Sequence, residues 1–229
     1  MVRPIFSMTL ALFFALGASE LSRAAQPMAP PNCAGDLDAS GLQTFSLVKV
    51  VADGQVHFQA DAKGCPGAEP RCQRKAYALK GDVLIAAHQH DGWTCVELPN
   101  HAGGTQGWLR SNQIATLPVD QAPRVQDWSG KWERDRYASL EIAAKGPDLK
   151  ITGLATWVGP NPGQVNDGEL EGTGRPKGAY LTVRDAEGAA CKAELRLLGP
   201  YLIVSDNGQC GGLNVSFSGE YRRISRAGG

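Results

Sequence analysis

Two histidines at the end of a predicted strand are the residues best suited to metal chemistry. His88 and His90 are separated by one residue, so they project from the same face of an extended chain. Two ligands on one face is a geometry that metal sites use, but a catalytic zinc ion needs three protein ligands. His57 and His101 are isolated in the sequence and fix no third ligand. We therefore interpret the pair as exposed residues before the turn at Asp91-Gly92, and we predict no metal site and no cofactor.

Covalent or acid-base catalysis is the second possibility. The six cysteines are an even number in an apparently exported chain, which is typical of disulfides, and an oxidised cysteine is no nucleophile. No serine stands in a G-x-S-x-G elbow. The pairs Asp167/Glu169 and Glu169/Glu171 imitate the two carboxylates of a glycosidase, but alternate positions on one strand indicate a solvated face. The sequence therefore predicts a protein that is not an enzyme.

Aromatic residues are better candidates for a binding site. Trp93 and Trp108 each follow a glycine at the start of a predicted strand. Together with Tyr77 they would form a shallow groove for a peptide or a sugar. The alternative is that one of the tryptophans belongs to the core. We take Tyr77, Trp93 and Trp108 as the predicted ligand-binding residues.

Strands must position these aromatic side chains. Residues 83–88 and 93–98 are two largely apolar runs with β-branched residues, and the turn at Asp91-Gly92 between them predicts two strands. A third strand begins at Gly107. Upstream, SLVKVV and VHFQA flank Asp53-Gly54 and predict a β-hairpin.

The order of these elements between Tyr77 and Ile114, with its two glycine-tryptophan pairs, resembles a bacterial SH3-like (SH3b) domain. The resemblance implies a small β-barrel over residues 44–116 that binds peptides or cell-wall glycan and does not catalyse. In that arrangement KGCPGAEPRCQR is the long loop between the first strands. A bridge from Cys65 to Cys72 would close this loop and leave Cys33 to pair with Cys95. Four cysteines allow three connectivities, and the sequence does not choose among them.

The second half, residues 128–226, is a succession of short alternating segments separated by glycine-rich turns. About eight strands in roughly a hundred residues is the density of an all-β meander, and closure into a barrel hides its unpaired edges. We predict an all-β protein with an N-terminal SH3-like small barrel and a C-terminal antiparallel up-and-down barrel of about eight strands. Residues 117–127 would link them. Trp157, Tyr180 and Tyr201 are candidates for lining the second barrel.

The first and the last residues of this half each resemble a known family of β-barrels. The opening WSGKW resembles the start of lipocalin-like and avidin-like barrels, and the closing CGGLNVSFSGEYRR, interpreted as the last strand, is similar to small periplasmic lysozyme inhibitors. Cys191 and Cys210 flank a hairpin centred on Gly199-Pro200, so we expect a disulfide between them. The double glycine after Cys210 predicts a bulge or a close backbone approach.

The N-terminal residues predict export. In residues 1–25 Arg3 precedes an apolar block and small residues follow it, as in a secretory signal peptide, and residues 26–43 are a proline-rich extended arm. No cysteine directly follows the apolar block, so we expect no membrane anchor and a periplasmic or secreted protein. Removing this segment takes away Arg3, Arg23 and Glu20 from the 23 basic and 23 acidic residues, leaving 21 and 22. A near-neutral chain is a poor partner for nucleic acid.

Two hypotheses follow for function. The first is a non-enzymatic exported binding protein that recognises a cell-envelope component, either peptidoglycan or an envelope protein. The second is a periplasmic inhibitor or immunity protein against a peptidoglycan-degrading enzyme, in which case the partner is a cell-wall hydrolase.

Overall fold

The computed structural model describes Cys33 and residues 41–100, 102–185 and 190–225. The predicted signal peptide and most of the predicted arm lie outside the described residues. Fifteen strands and a few single helical turns make up the regular structure of the described part. The prediction of an all-β protein is therefore confirmed.

The first half forms one antiparallel sheet with the order β3-β2-β6-β5-β4-β1-β7. Its two edge strands, β3 and β7, do not pair with each other in the described chain, so this sheet is open. Single 3₁₀ turns lie at Gly41–Thr44, Pro70–Cys72 and Ser111–Gln113. The strands are β1 (Ser46–Val50), β2 (Gln55–Gln59), β3 (Gln73–Leu79), β4 (Val83–His90), β5 (Trp93–Leu98), β6 (Thr105–Arg110) and β7 (Ile114–Leu117).

The predicted hairpin between β1 and β2 is wrong. Strand β1 pairs with β4 and β7, whereas β2 pairs with β3 and β6. Both faces of β1 are buried, since Val48 and Val50 point one way and Leu47 points the other. A strand of this kind belongs inside a sheet, where neighbours on both sides cover its backbone.

Each face of the open sheet carries its own set of buried residues. Residues of the inner face on β1 to β6 share one apolar cluster, so the sheet curves around it; they include Val48, Phe58, Leu84, Val96 and Leu109. The outer face carries the alternate residues, among them Leu47, Ile85 and Cys95, which are also buried. Burial on both faces explains why β4 and β5 read as continuous apolar runs rather than alternating ones.

The second half is a closed antiparallel barrel of eight strands, as predicted. Each strand pairs with the next along the chain, and β15 pairs with β8 to close the ring. A short helix, α1 (Val125–Trp128), precedes it. The strands are β8 (Gly130–Asp135), β9 (Ala138–Lys145), β10 (Asp148–Val158), β11 (Val165–Gly174), β12 (Tyr180–Asp185), β13 (Lys192–Leu198), β14 (Tyr201–Asp206) and β15 (Gly219–Ser225).

Side chains fill the barrel, as eight strands permit. Trp132 is fully buried, its Nε1 donates to Trp128 O at 3.0 Å, and the Arg223 guanidinium lies 4.3 Å from the centre of its ring. Of the three aromatics predicted to line the interior, Trp157 packs against this core. Tyr180 and Tyr201 instead alternate with the inward residues of their strands and lie on the outer wall, so the prediction is wrong for both.

Residues 207–218 join β14 to β15, and we call them the plug loop. The turn at Asn207-Gly208 was expected, but residues 210–218, predicted as the beginning of the last strand, are not strand. Asp206 accepts hydrogen bonds from Ser216 Oγ at 2.9 Å, from Ser218 N at 3.1 Å and from Phe217 N. A carboxylate that satisfies backbone N–H groups competes with a strand ladder. The loop consequently turns Val215 and Phe217 into the barrel and leaves Leu213 outside.

The outer wall of β13 and β14 packs on the outer face of the open sheet, a contact that we call the joint. Leu198 and Ile203 of the barrel share an apolar cluster with Leu47 and Ile85 of the sheet. Arg196, which is buried, donates from Nη1 to Leu42 O and Phe45 O, both at 2.6 Å. The contacts place the described residues in one compact unit. The division into domains at 44–116 and 128–226 stays a prediction.

We expect the plug loop to be part of the folding core. Phe217→Ala should lower the free energy of unfolding by about 3–5 kcal/mol, because it empties a fully buried ring site in the barrel. Leu213→Ala in the same loop should change it by less than about 0.5 kcal/mol, since this side chain is exposed. Urea unfolding followed by circular dichroism measures both, and equal effects would contradict the placement of the loop.

Candidate functional site

Three disulfides hold the chain. Cys33 pairs with Cys95, Cys65 with Cys72 and Cys191 with Cys210, with Cα atoms 5.2, 5.5 and 4.5 Å apart. The structure thereby selects one of the connectivities that the sequence left open. Three disulfides indicate an oxidising compartment.

The strand register places all three predicted ligand-binding residues on the outer face of the open sheet. Tyr77 stands opposite His57 on the neighbouring strand, and Trp108 stands opposite Gln59. Trp93 stands opposite Arg110. Paired residues share a face, so the aromatics lie in successive positions across the same side of the sheet.

Trp108 is a core residue rather than a groove residue. It is 1% exposed and packs with Trp93 against the Cys33–Cys95 disulfide. Its Nε1 donates to Asp61 Oδ1 at 3.2 Å, and the other oxygen of Asp61 accepts from Cys33 N at 2.8 Å. Asp61 therefore links the backbone of Cys33 to the Trp108 indole. This is the alternative that the sequence left open.

An open hollow of about 330 Å³, which we call the amide groove, lies on this face. Trp93 lines it although it is only 9% exposed, and the Arg110 guanidinium lies 4.1 Å from the centre of the Trp93 ring. Tyr77 is 43% exposed and lies beside the lining rather than in it, where its ring meets the edge of the His57 ring at 5.7 Å. Four glutamines also line the groove: Gln55, Gln59, Gln73 and Gln113.

The lining of the amide groove suits a polar ligand. Each glutamine amide both donates and accepts hydrogen bonds. Glu69 is the acidic residue of the lining, and it already accepts from Arg71 Nε at 2.5 Å. Gln59 Oε1 is buried and has no hydrogen-bond partner among the described residues. Sequence analysis missed the glutamines, although Gln55, His57 and Gln59 alternate with the buried Val56 and Phe58 in β2.

His88 and His90, the two histidines considered as metal ligands, have different neighbours. The His88 ring meets Trp108 edge to face at 5.3 Å and is half-buried, so the prediction that it is exposed is wrong. His90 Nε2 lies 3.2 Å from Asp91 Oδ2 at the surface. Within the described chain, three or more His, Cys, Asp or Glu side chains do not gather in a metal-binding arrangement.

Two carboxyl groups meet in the joint. Glu97 on β5 and Glu220 on β15 line a cavity of about 20 Å³, and Gln106 Nε2 donates to Glu97 Oε2 at 2.6 Å. Burial, together with the neighbouring Glu220 charge, raises the pKa of Glu97 to about 8. Burial likewise raises the pKa of Glu220, against the opposing charge of Arg134. The cavity has room for about one water molecule, so this pair belongs to the packing of the joint.

Another hollow, of about 780 Å³, lies at the end of the barrel that carries α1. Arg124 and Asp127 form an ion pair there at 2.9 Å, and this hydrogen bond holds the pKa of Asp127 below its usual value. Arg223 donates to the backbone carbonyls of Ser129 and Asp127. The charged groups of this hollow thus cap the helix and the barrel end.

The comparisons add no relatives. No protein-family model, curated protein or solved structure matches this chain. Among the described helices, none has the length and apolar character needed to cross a bilayer.

We expect Trp108 and Tyr77 to differ sharply in their contribution to stability. Trp108→Ala should lower the free energy of unfolding by about 3–5 kcal/mol, because it removes a buried ring that packs on a disulfide. Tyr77→Ala should cost less than about 1 kcal/mol, because its side chain is partly exposed. Chemical denaturation measures the free energy of unfolding of both variants. A Trp108→Ala protein as stable as the wild type would contradict a core role for Trp108.

The buried Glu97 carboxyl in the joint should make the free energy of unfolding depend on pH. The folded protein keeps a proton on Glu97 up to about pH 8, whereas the unfolded chain loses it near the ordinary value of 4.5. The contribution of Glu97 to the free energy of unfolding is therefore complete below about pH 4.5, declines as the pH rises, and levels off above about pH 8. Glu97→Gln stays neutral and should reduce this decline.

The control for this experiment is Glu141→Gln, which changes an exposed carboxylate on the far wall of the barrel. Its free energy of unfolding should follow the wild-type profile in urea titrations from pH 4 to pH 9. Identical slopes for wild type and Glu97→Gln would contradict the assignment of the buried proton.

Proposed function

We propose that this chain is a non-enzymatic exported binding protein that recognises peptidoglycan through the amide groove. The observation that carries the proposal is the lining, which contains four glutamines, His57 and Trp93, with the exposed Tyr77 ring next to His57. The three disulfides support the export that residues 1–25 predict, since they favour an oxidising compartment.

Peptidoglycan presents the groups that such a lining recognises. Its sugars carry hydroxyl and N-acetyl groups, and its peptides carry amides, all of which exchange hydrogen bonds with glutamine side chains. Tyr77 offers an exposed ring against which the apolar side of a sugar packs. The Arg110 guanidinium, already held over Trp93, supplies a cation for a peptide carboxylate.

The SH3-like assignment of the first half is part of the proposal. It is supported by the order of β4, β5 and β6 and by the curvature of the sheet around the inner-face cluster. The open edge between β3 and β7 departs from a closed small barrel.

The second candidate function, an inhibitor of a peptidoglycan-degrading enzyme, is favoured by a different observation. Exposed apolar side chains on the barrel, among them Leu154, Val158 and Leu213, are separate from the lining of the amide groove. An inhibitor binds the enzyme and ignores the polymer.

Sedimentation with purified murein sacculi tests the proposal. The disulfide-bonded protein should pellet with sacculi, and Tyr77→Ala and Gln113→Ala should each weaken this binding by about fivefold or more, because both change the groove.

Tyr137→Ala is the matched control, because Tyr137 is 41% exposed against 43% for Tyr77 but lies on the barrel. It should bind sacculi like the wild type. Absence of the folded wild-type protein from the pellet, or equal losses for Tyr77→Ala and Tyr137→Ala, would refute recognition through the groove.

A further inference from the structure

Five large apolar side chains are exposed near the plug loop. They come from the turn between β8 and β9, from the hairpin of β10 and β11, and from the loop itself. Their exposed fractions are 41% for Tyr137, 62% for Leu154, 51% for Val158, 49% for Val165 and 79% for Leu213.

Backbone contacts join these segments into one surface. Val158 and Val165 are directly opposite in the β10–β11 pair. Thr156 N donates to Tyr137 O at 2.8 Å, which places the β8–β9 turn beside β10. Asn166 Nδ2 donates to Leu213 O at 2.7 Å, which places the plug loop beside β11. Exposed apolar side chains on adjoining segments are a feature of interaction sites.

The plug loop holds Leu213 in a fixed position. The Cys191–Cys210 disulfide ties the loop to β13, and Gly212 N donates to Asp167 O at 3.1 Å. Gly211 approaches Gly168 so closely that a Cβ atom at Gly211 would lie 2.5 Å from the Cα of Gly168. The predicted close approach at the double glycine is thus confirmed. A loop that is ordered in advance loses little entropy when it binds.

The charge beside this patch is negative. A hollow of about 400 Å³ lies between β11 and the plug loop, and its charged lining residues in the described chain are Asp167 and Glu169. Glu171 continues this row and pairs with Lys150 at 2.9 Å. The nearest cation of the β8–β9 turn, Arg136, lies over the ring of Tyr137 at 5.4 Å. A lysine or arginine side chain from a partner complements the hollow.

We propose that this plug-end surface, formed by Tyr137, Leu154, Val158, Val165 and Leu213 with Asp167 and Glu169, is a docking surface for a basic protein. A cationic side chain of the partner enters the hollow between the two carboxylates, and apolar residues around it cover Leu213 and the Val158–Val165 pair. The surface lies on the barrel, so it goes beyond the peptidoglycan-binding groove and does not depend on it.

Lysozyme is the probe, because it is a basic protein that acts on the polymer considered above. Isothermal titration calorimetry at about 0.05 M salt should show binding, and about 0.5 M salt should weaken it. Leu213→Ser and Glu169→Lys should each raise the Kd by about tenfold or more, because they change the apolar and the acidic part of the surface. Lysozyme with succinylated lysines should not bind, because its charge is reversed.

Matched controls lie on the open sheet. Leu79→Ser alters an apolar residue that is 49% exposed, and Asp53→Lys reverses an exposed charge; both positions belong to the open sheet and its connections, not to the barrel. Both should bind lysozyme within about twofold of the wild type. The proposal is overturned if lysozyme does not bind at about 100 μM, if the controls lose as much affinity as Leu213→Ser, or if succinylated lysozyme binds equally well.

The same variants separate this proposal from the proposed function. Leu213→Ser and Glu169→Lys should sediment with sacculi like the wild type, because they leave the amide groove unchanged. Loss of lysozyme binding with intact sacculus binding would place the two activities on separate surfaces.

Discussion

Contact between the outer face of the open sheet and the wall of the barrel is the constraint on which the rest of the structure depends. The buried Arg196 guanidinium shows how specific this contact is. A buried charge is tolerated only where hydrogen bonds replace water, and Arg196 Nη1 finds them in the carbonyls of Leu42 and Phe45. Tyr201 adds a hydrogen bond from its hydroxyl to Val83 O at 2.8 Å. These polar bonds fix the register in which Leu198 and Ile203 meet Leu47 and Ile85.

The joint leaves only part of the outer face for a ligand. The barrel covers the side around Ile85 and Glu97, and Cys33 packs on the middle, where Cys95 and Trp108 lie. What remains is the strip from Tyr77 and His57 to Trp93 and Arg110, which contains the amide groove. The groove therefore rests on strands whose opposite face is packed and whose flank is tied by a disulfide. Such a site is held rigidly, which reduces the entropy lost on binding.

Local patterns predicted much of this fold, because they depend on near neighbours in the chain. Alternation and turn residues were sufficient for the eight-stranded barrel, where every strand pairs with the next. The order of the open sheet depends on non-local pairing, and the turn at Asp53-Gly54 suggested a β1–β2 hairpin that does not form. The plug loop was mistaken for a strand because Leu213, Val215 and Phe217 alternate. The Asp206 hydrogen bonds and the disulfide, which override that pattern, are visible only in three dimensions.

Part of the candidate site was also predicted from local patterns in the sequence. The sequence grouped Tyr77, Trp93 and Trp108 as neighbours, and the register places all three on one face of the sheet. The sequence could not show that Asp61 and Cys33 pack against Trp108, since Cys33 lies 62 residues from its partner Cys95. Nor could it show that outward glutamines on β2 and β3 converge with Gln113, because outward polar residues on a strand are ordinarily solvated.

Chemical-shift mapping with soluble peptidoglycan fragments tests the central claim most directly. Titration of ¹⁵N-labelled protein should shift the side-chain amide signals of Gln55, Gln59, Gln73 and Gln113 and the indole signal of Trp93, and should leave the signals of the barrel strands in place. Shifts confined to the barrel, or no shifts at fragment concentrations of about 1 mM, would contradict recognition through the amide groove.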